Sequence, residues 1–328
     1  MRQPAAQPSM MRIAIAGGGG LAYVLAAQIT QGANAVLVIS QHAHPEFEQD
    51  FPGCQVAQVD FSNVDELRYT LLGVDLLIST ISGSQQLDLI DAARQARVRL
   101  FVPSEFEGDV EHRPADDPLD RHSHAARDLL DHWALSTTNN MRYTIFSCGI
   151  FMERFAPGGL EQYRMGAGSG LQTPNDYLIN VGEATGEIVE GTASGRPARV
   201  SLTSVYDLAR FVAAAIEMGP ANWPREYRIR GDSLTVRDIL ATCEAVRGIR
   251  FGAVSRSYQD VEAEVVQCEQ AQYLSRWYYL QRLLQTANER YHIRRPNLVE
   301  DVNRAEATRI APPTRFRRWL ENVWGPAV

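Results

Sequence analysis

Lysine is missing altogether: all 32 basic residues are arginine. A Schiff base, a phosphate-loop lysine and a Tyr-x-x-x-Lys catalytic pair are therefore excluded. Lysine-to-arginine drift explains such a composition, but it puts no amine back into a site. Cysteine is scarce. Cys54, Cys148, Cys243 and Cys268 form no C-x-x-C pair, which argues against a structural metal and for a reducing, cytoplasmic setting. No run approaches about eighteen unbroken apolar residues, so no membrane-spanning helix is expected. The opening MRQPAAQPSM has no apolar segment and reads as a short disordered lead-in rather than a secretory signal, with the fold starting near Met11. Excess positive charge is also absent. The formal net charge of −7 argues against nucleic acid or an anionic membrane as the partner.

What is present is ordinary globular composition, 45% apolar and 22% charged over 328 residues, enough for two domains or one large one. Short apolar runs rich in β-branched residues recur at Arg12–Ala16, Ala35–Ser40, Gln55–Asp60, Val74–Ser79, Arg99–Pro103 and Tyr143–Ser147. Helical stretches alternate with them at Leu21–Thr30, Val64–Leu72, Leu87–Ala96 and Ala125–Ala134. Such alternation predicts parallel βαβ units and a Rossmann-type doubly wound α/β sheet. The second half reads differently. A glycine-rich loop spans Gly158–Gly170, and strands are expected at Val200–Thr203 and Tyr227–Arg230. Helices are expected at Asp207–Met218, at Val236–Arg247 capped by Thr235, and along the aromatic-rich Val261–Arg290. The division expected is a nucleotide-binding domain over 11–155, with strands returning at about 198–232. A smaller, mostly helical substrate domain takes 156–197 and 233–328. Tyr273, Trp277, Tyr278, Tyr279 and Tyr291 read mainly as helix core, with some free to wall a hydrophobic pocket.

Gly17-Gly18-Gly19-Gly20 lies between the first strand and the first helix, where a dinucleotide pyrophosphate needs bare backbone and a helix N-terminus. Gly17, Gly18, Gly20, Leu21 and Ala22 are the expected contacts. The third glycine of the usual pattern falls at Tyr23, and the small Ala22 beside it keeps helix and strand close. Strand two ends in Ser40, Gln41 and His42. No carboxylate there repels a 2′-phosphate, so NADP(H) is expected over NAD. Asp60 is expected near the adenine. Thr80, Ile81 and Ser82 are expected to line the nicotinamide side of the crevice.

The segment FVPSEFEGD after strand five resembles the PSEFG-type segment of the NmrA-like and isoflavone-reductase-like family, the atypical short-chain dehydrogenases. IAIAGGGGLA, YTIFSCGIFMERF and SVYDLARFVAAAI are similar as well, and DDPLDR and FAPGGL resemble fungal, pathway-associated members. The resemblance spans nearly the whole chain. It implies a Rossmann domain with a smaller substrate domain and an NADP(H) cofactor, with Pro103, Cys148 and Gly149 near the nicotinamide. The partner expected is a small hydrophobic, aromatic or polycyclic metabolite, and the protein itself a monomer or homodimer.

Reductases of this family carry a catalytic lysine on the helix after the PSEF loop. Here that position falls at Ser123 or His124, so the resemblance leaves the proton donor to be found. Glu105 and His124 are the expected acid–base groups, since a carboxyl with raised pKa or an imidazole can protonate an oxygen as hydride arrives. A structural hydrogen bond holding the loop is the competing role for Glu105. Asp117 and Asp120 read as helix caps, Arg121 as a substrate or phosphate contact or a solvated ion pair, and Cys148 as a packing residue. Three functions stay open: a reductase of secondary metabolism, a non-redox isomerase that uses the nucleotide structurally, and a dinucleotide-sensing regulator.

Overall fold

The computed structural model describes residues 10–305 and 310–325. The expected lead-in before Met10 lies outside the described residues. Six parallel strands form the main sheet: β1 (Arg12–Ala16), β2 (Ala35–Ser40), β3 (Cys54–Gln58), β4 (Leu76–Ser79), β5 (Leu100–Val102) and β6 (Arg142–Tyr143), in the order β3-β2-β1-β4-β5-β6. This is the doubly wound Rossmann order, with its switch point between β1 and β4. Pleating sorts the strand side chains. Ile13 and Ile15 pack with Val36, Val38 and Ile78 on one face, while Ala14, Ala16, Leu37 and Leu77 pack on the other. Helix α1 (Gly20–Ile29) covers the first face. The helices α3 (Val64–Thr70), α4 (Ser84–Gln95) and α5 (Ser123–Ala134) cover the second, after a short α2 (Pro45–Asp50). Asn63 caps α3 by accepting the Glu66 N–H, and Asp65 and Glu66 occupy the first turn, where the helix dipole favours them.

The expected sixth strand is two pieces. Thr144 donates its N–H to Phe101 of β5, but the next N–H, of Ile145, goes to Arg225. The chain thus trades partners, and β7 (Ile145–Ser147) pairs with β12 (Glu226–Arg228). A second small sheet joins β8 (Ile150–Phe151), β11 (Arg199–Thr203) and β13 (Asp232–Thr235). A third joins β9 (Ile179–Asn180), β10 (Thr185–Val189) and β14 (Gly252–Arg256). The helices of the second half are α6 (Val205–Glu217), α7 (Val236–Arg247), α8 (Tyr258–Gln270), α9 (Leu274–Ala287), α10 (Leu298–Arg304) and α11 (Phe316–Trp324). Thr235 and Asp238 close a reciprocal capping box on α7, as the sequence suggested for Thr235. The single helix expected over Val261–Arg290 breaks at Ala271–Tyr273, where Gln272 turns left-handed. Helix α6 packs on α1, so the second half closes over one face of the sheet.

Candidate active site

Two connected cavities, each of about 310 Å³, open at the carboxyl ends of the main strands. They share Glu107, Arg121, Gly168, Ser169 and Leu171. The outer crevice starts at the glycine turn, Gly17–Leu21. It runs past Thr80, Ile81 and Ser82 at the end of β4 and past Ser104 and Phe106 after β5, under a roof formed by Leu160 and Arg164–Ser169. The inner chamber lies beyond Arg121 and is walled by Leu119, Tyr278, Arg282 and Tyr291.

The glycine turn can be tested against a dinucleotide. The N–H groups of Gly18, Gly19, Leu21 and Ala22 find no acceptor among the described residues. Open donors at the start of a helix suit a pyrophosphate. Close approach explains why side chains are missing here. A β-carbon at Gly20 would overlap the Tyr163 carbonyl, and one at Gly18 would overlap the His44 imidazole. The Gly20 N–H is already taken by the Arg164 carbonyl at 2.9 Å, so the roof rests on the turn. His44 lies within hydrogen-bond distance of Glu46 through Nδ1 (3.1 Å), which leaves Nε2 facing the turn. The Arg164 guanidinium bonds Glu46 at 2.8 Å and holds that carboxyl down at about 2. The residues present therefore fit a nucleotide's diphosphate.

At the far end of strand two, Ser40 is buried and its hydroxyl accepts the His42 N–H, while Gln41 and His42 are exposed. Gln41 and Asp60 share a shallow recess with Gln58 and Glu66. Asp60 there accepts both the N–H and the hydroxyl of Ser62, which lower its carboxyl. The expected turn and strand-four residues are thus brought together at one opening. Ala22, Pro103, Cys148 and Gly149 are not in the cavity walls. Cys148 is fully buried, and burial raises its thiol far above the usual range. The N–H groups of Cys148 and Gly149 both donate to the Glu107 carbonyl.

The two expected acid–base residues also stand back from the cavities. Glu105 is buried in an ion pair with Arg113, and its second oxygen, Oε1, has no partner. His124 sits in the first turn of α5. Its N–H donates to Asp120 at 3.1 Å and its Nδ1 faces Arg127 at 3.2 Å. Asp120 is thus a helix cap. Asp117 is an ion-pair partner of Arg290.

The residues that do face the cavities were legible only in part. Glu107, two positions beyond Glu105, lines both cavities and bonds Arg290 at 3.1 Å. Burial would raise its carboxyl, but Arg290, Arg113, Arg121 and Arg154 outweigh that and hold it at about 2. Tyr291 presents its ring to the inner chamber, and burial pushes its phenol up to about 12. Arg121 stands two residues before the family's lysine position. It lines both cavities, touching the Ser82 hydroxyl at 3.4 Å. Tyr278 and Arg282 lie four apart on α9 and hence on one face, a spacing that could have flagged them together. The proline at Pro45 marks a helix start, which could have flagged His44 as its cap position.

Fold and glycine turn together define a Rossmann-type protein with open N–H donors at the start of its first helix and two adjoining cavities. The NmrA-like family model matches residues 11–320, and the chain belongs to that family. The chain is 24% identical over 245 residues to a protein named oxidoreductase swnR from Arthroderma benhamiae, covering 70% of this chain and 72% of that one. A shorter stretch of 63 residues is 40% identical to the isoflavone reductase homolog A622 of Nicotiana glauca, 18% of this chain and 20% of that one. Among solved structures, the NADPH-dependent quinone oxidoreductase QOR2 of Escherichia coli, complexed with NADPH, superposes with a TM-score of 0.63 at 18% identity. It covers 94% of this chain and 99% of that one. AtPrR2 with NADP+ and (+)pinoresinol gives 0.67 at 18%, covering 96% and 99%. Among the described residues, no helix is long and apolar enough to cross a membrane.

Proposed function

We propose that the protein is an NADP(H)-dependent oxidoreductase acting on a small aromatic or polycyclic metabolite held in the inner chamber. The observation that carries this reading is the set of open N–H donors of Gly18, Gly19 and Leu21 at the glycine turn, in the wall of a crevice that shares five wall residues with that chamber. The relatives named as oxidoreductases and the fold shared with NADPH-bound reductases support it. The exposed Gln41 and His42 bring no carboxylate against a 2′-phosphate.

When bound, the nucleotide supplies hydride. The chain's own residues hold the diphosphate at the N–H groups of Gly18, Gly19 and Leu21 and position the acceptor between Phe106, Leu171 and Tyr278. Glu107 is ionised at neutral pH and serves to orient, not to protonate. Arg121 restores the positive charge of the absent lysine but keeps its protons. Tyr291 lines the chamber, and burial keeps its phenol protonated. It is the donor to an oxygen that gains negative charge, and Arg154, Arg282 and Arg290 favour the phenolate left behind.

The test is incubation of the purified protein with NADPH and a panel of aromatic ketones, quinones and enones, following reduced-nicotinamide absorbance and product together. Stoichiometric loss of absorbance with product is expected. Product without loss of absorbance selects the non-redox isomerase instead.

A further inference from the structure

We infer that the place where the two cavities adjoin is an anion site, with Arg154 on the crevice side, Arg282 on the chamber side and Arg121 in both walls, and that the molecule it takes is an aromatic carboxylate. This rests on the proposed function only for the idea that a second molecule occupies the chamber.

Three guanidiniums meet there from distant parts of the chain: the loop before α5, the turn after β8 and helix α9. None has a carboxylate within 4.0 Å among the described residues, although other arginines there form 20 such ion pairs. Each guanidinium carries five N–H donors in a rigid fork. Arg154 uses none of them on an acceptor. Its Nε and Nη1 are buried without partners, and its plane lies over the Tyr177 ring at 5.3 Å. Among the described residues, Arg282 has only two long contacts to backbone carbonyls, Ser169 at 3.2 Å and Asp176 at 3.4 Å, and the Arg121 side chain only the Ser82 hydroxyl at 3.4 Å.

The carboxylates nearby are spoken for. Glu105 pairs with Arg113, Asp117 with Arg290, and Glu107 bonds Arg290. Asp120 lines the chamber too, but it is exposed and accepts the His124 N–H. The three arginines also feel one another. Burial lowers the pKa of Arg282; Tyr291 and Asp176 oppose this, while the charges of Arg154 and Arg121 add to it. Crowding like charges is unfavourable, and the wall carboxylates Glu107 and Asp120 leave an excess of positive charge that an anionic ligand would offset. A planar carboxylate matches the guanidinium fork. The rings of Tyr278 and Tyr291 and the Leu171 side chain suit a flat aromatic body attached to it.

The probe is 2-naphthoate, compared with its methyl ester and its amide. Binding is measured by calorimetry on the full chain with saturating NADPH, and NADPH binding is measured separately by nicotinamide fluorescence. The acid is expected to bind at least about tenfold tighter than the amide or ester. Arg154→Met and Arg282→Met are each expected to weaken the acid by about ten- to a hundredfold and to leave the amide and NADPH unchanged. Equal binding of acid and ester overturns the inference, as does no binding of the acid at millimolar concentration, or acid affinity that survives both variants. If the two variants lose NADPH instead, the arginines serve the nucleotide's phosphates and the inference again fails. If naphthoate binds as expected while NADPH does not, the anion site stands and the oxidoreductase reading falls. Arg282→Gln, on a surface of α9 with only backbone-carbonyl contacts, is the replacement should Arg154→Met not fold.

Discussion

The outer crevice and the inner chamber share five wall residues but are built by opposite means. The outer crevice is mostly backbone: a glycine turn, open N–H donors and small hydroxyls at strand ends. Its chemistry is local, because a strand, a tight turn and a helix start suffice to make it. The inner chamber is mostly long side chains, with arginines and tyrosines arriving from three separate elements. Its chemistry exists only once those elements are packed. The lesson is that a nucleotide seat is carried by a segment, whereas a substrate chamber is carried by a fold.

The sharpest way to break that contrast is at the turn. Gly20→Val places a side chain into the Tyr163 carbonyl and the diphosphate space, and NADPH binding should be lost below detection by calorimetry while 2-naphthoate binding persists. Retained NADPH affinity would remove the turn from the site. In the inner chamber, Tyr291→Phe should lower kcat by about 10²–10⁴-fold, the usual contribution of a general acid, with NADPH affinity unchanged. Full activity in that variant would move the proton source elsewhere.

A third change sharpens the line between chamber wall and scaffold. Glu105→Gln leaves Arg113 buried without its counter-charge and should destabilise the protein by about 3 kcal/mol in urea unfolding, while sparing kcat at permissive temperature. A fall in kcat without loss of stability would return Glu105 to the catalytic machinery. The smallest effect concerns pH. Glu153 is buried at the start of α6, where it accepts from the Ser204 hydroxyl and the Val205 N–H, and burial raises its carboxyl to about 7. Its folded pKa lies above its unfolded value of 4.5, so the folded state holds the extra proton between them. Its contribution to stability is therefore greatest at low pH and falls as pH rises from about 4.5 to 7. Glu153→Gln should flatten the Tm profile across that window, and an unchanged slope would show that another group sets it.

How far the sequence could be read follows the same division. The strand alternation, the helix cap at Thr235 and the glycine turn were legible, because each is decided by neighbours within a few residues. The break at Thr144 was not. YTIFS is a uniform apolar run, and only the arrival of Arg225 and Glu226 decides where the strand changes partner. Glu105 and Glu107 show the limit most clearly. Both lie in the recognised loop, and extended backbone would send both side chains to one face. Instead Glu107 donates its N–H to Glu105 and Glu105 to Pro103, two successive i→i−2 turns that rotate the chain between them. One carboxylate goes into the core and the other to the cavity.

The sequence by itself determined the doubly wound sheet, the family, the glycine turn and the absence of any lysine chemistry, since periodicity, glycine and composition are properties of the chain. Only the tertiary structure decided which charges face the chamber. Arg121, Arg154 and Arg282 look no different in sequence from the arginines that find carboxylates. What sets them apart is where packing leaves their guanidiniums, beside a cavity and out of reach of every acidic side chain among the described residues. A long flexible side chain carries no local signal of its partner, because its ion pair depends on what the rest of the fold brings within 4 Å.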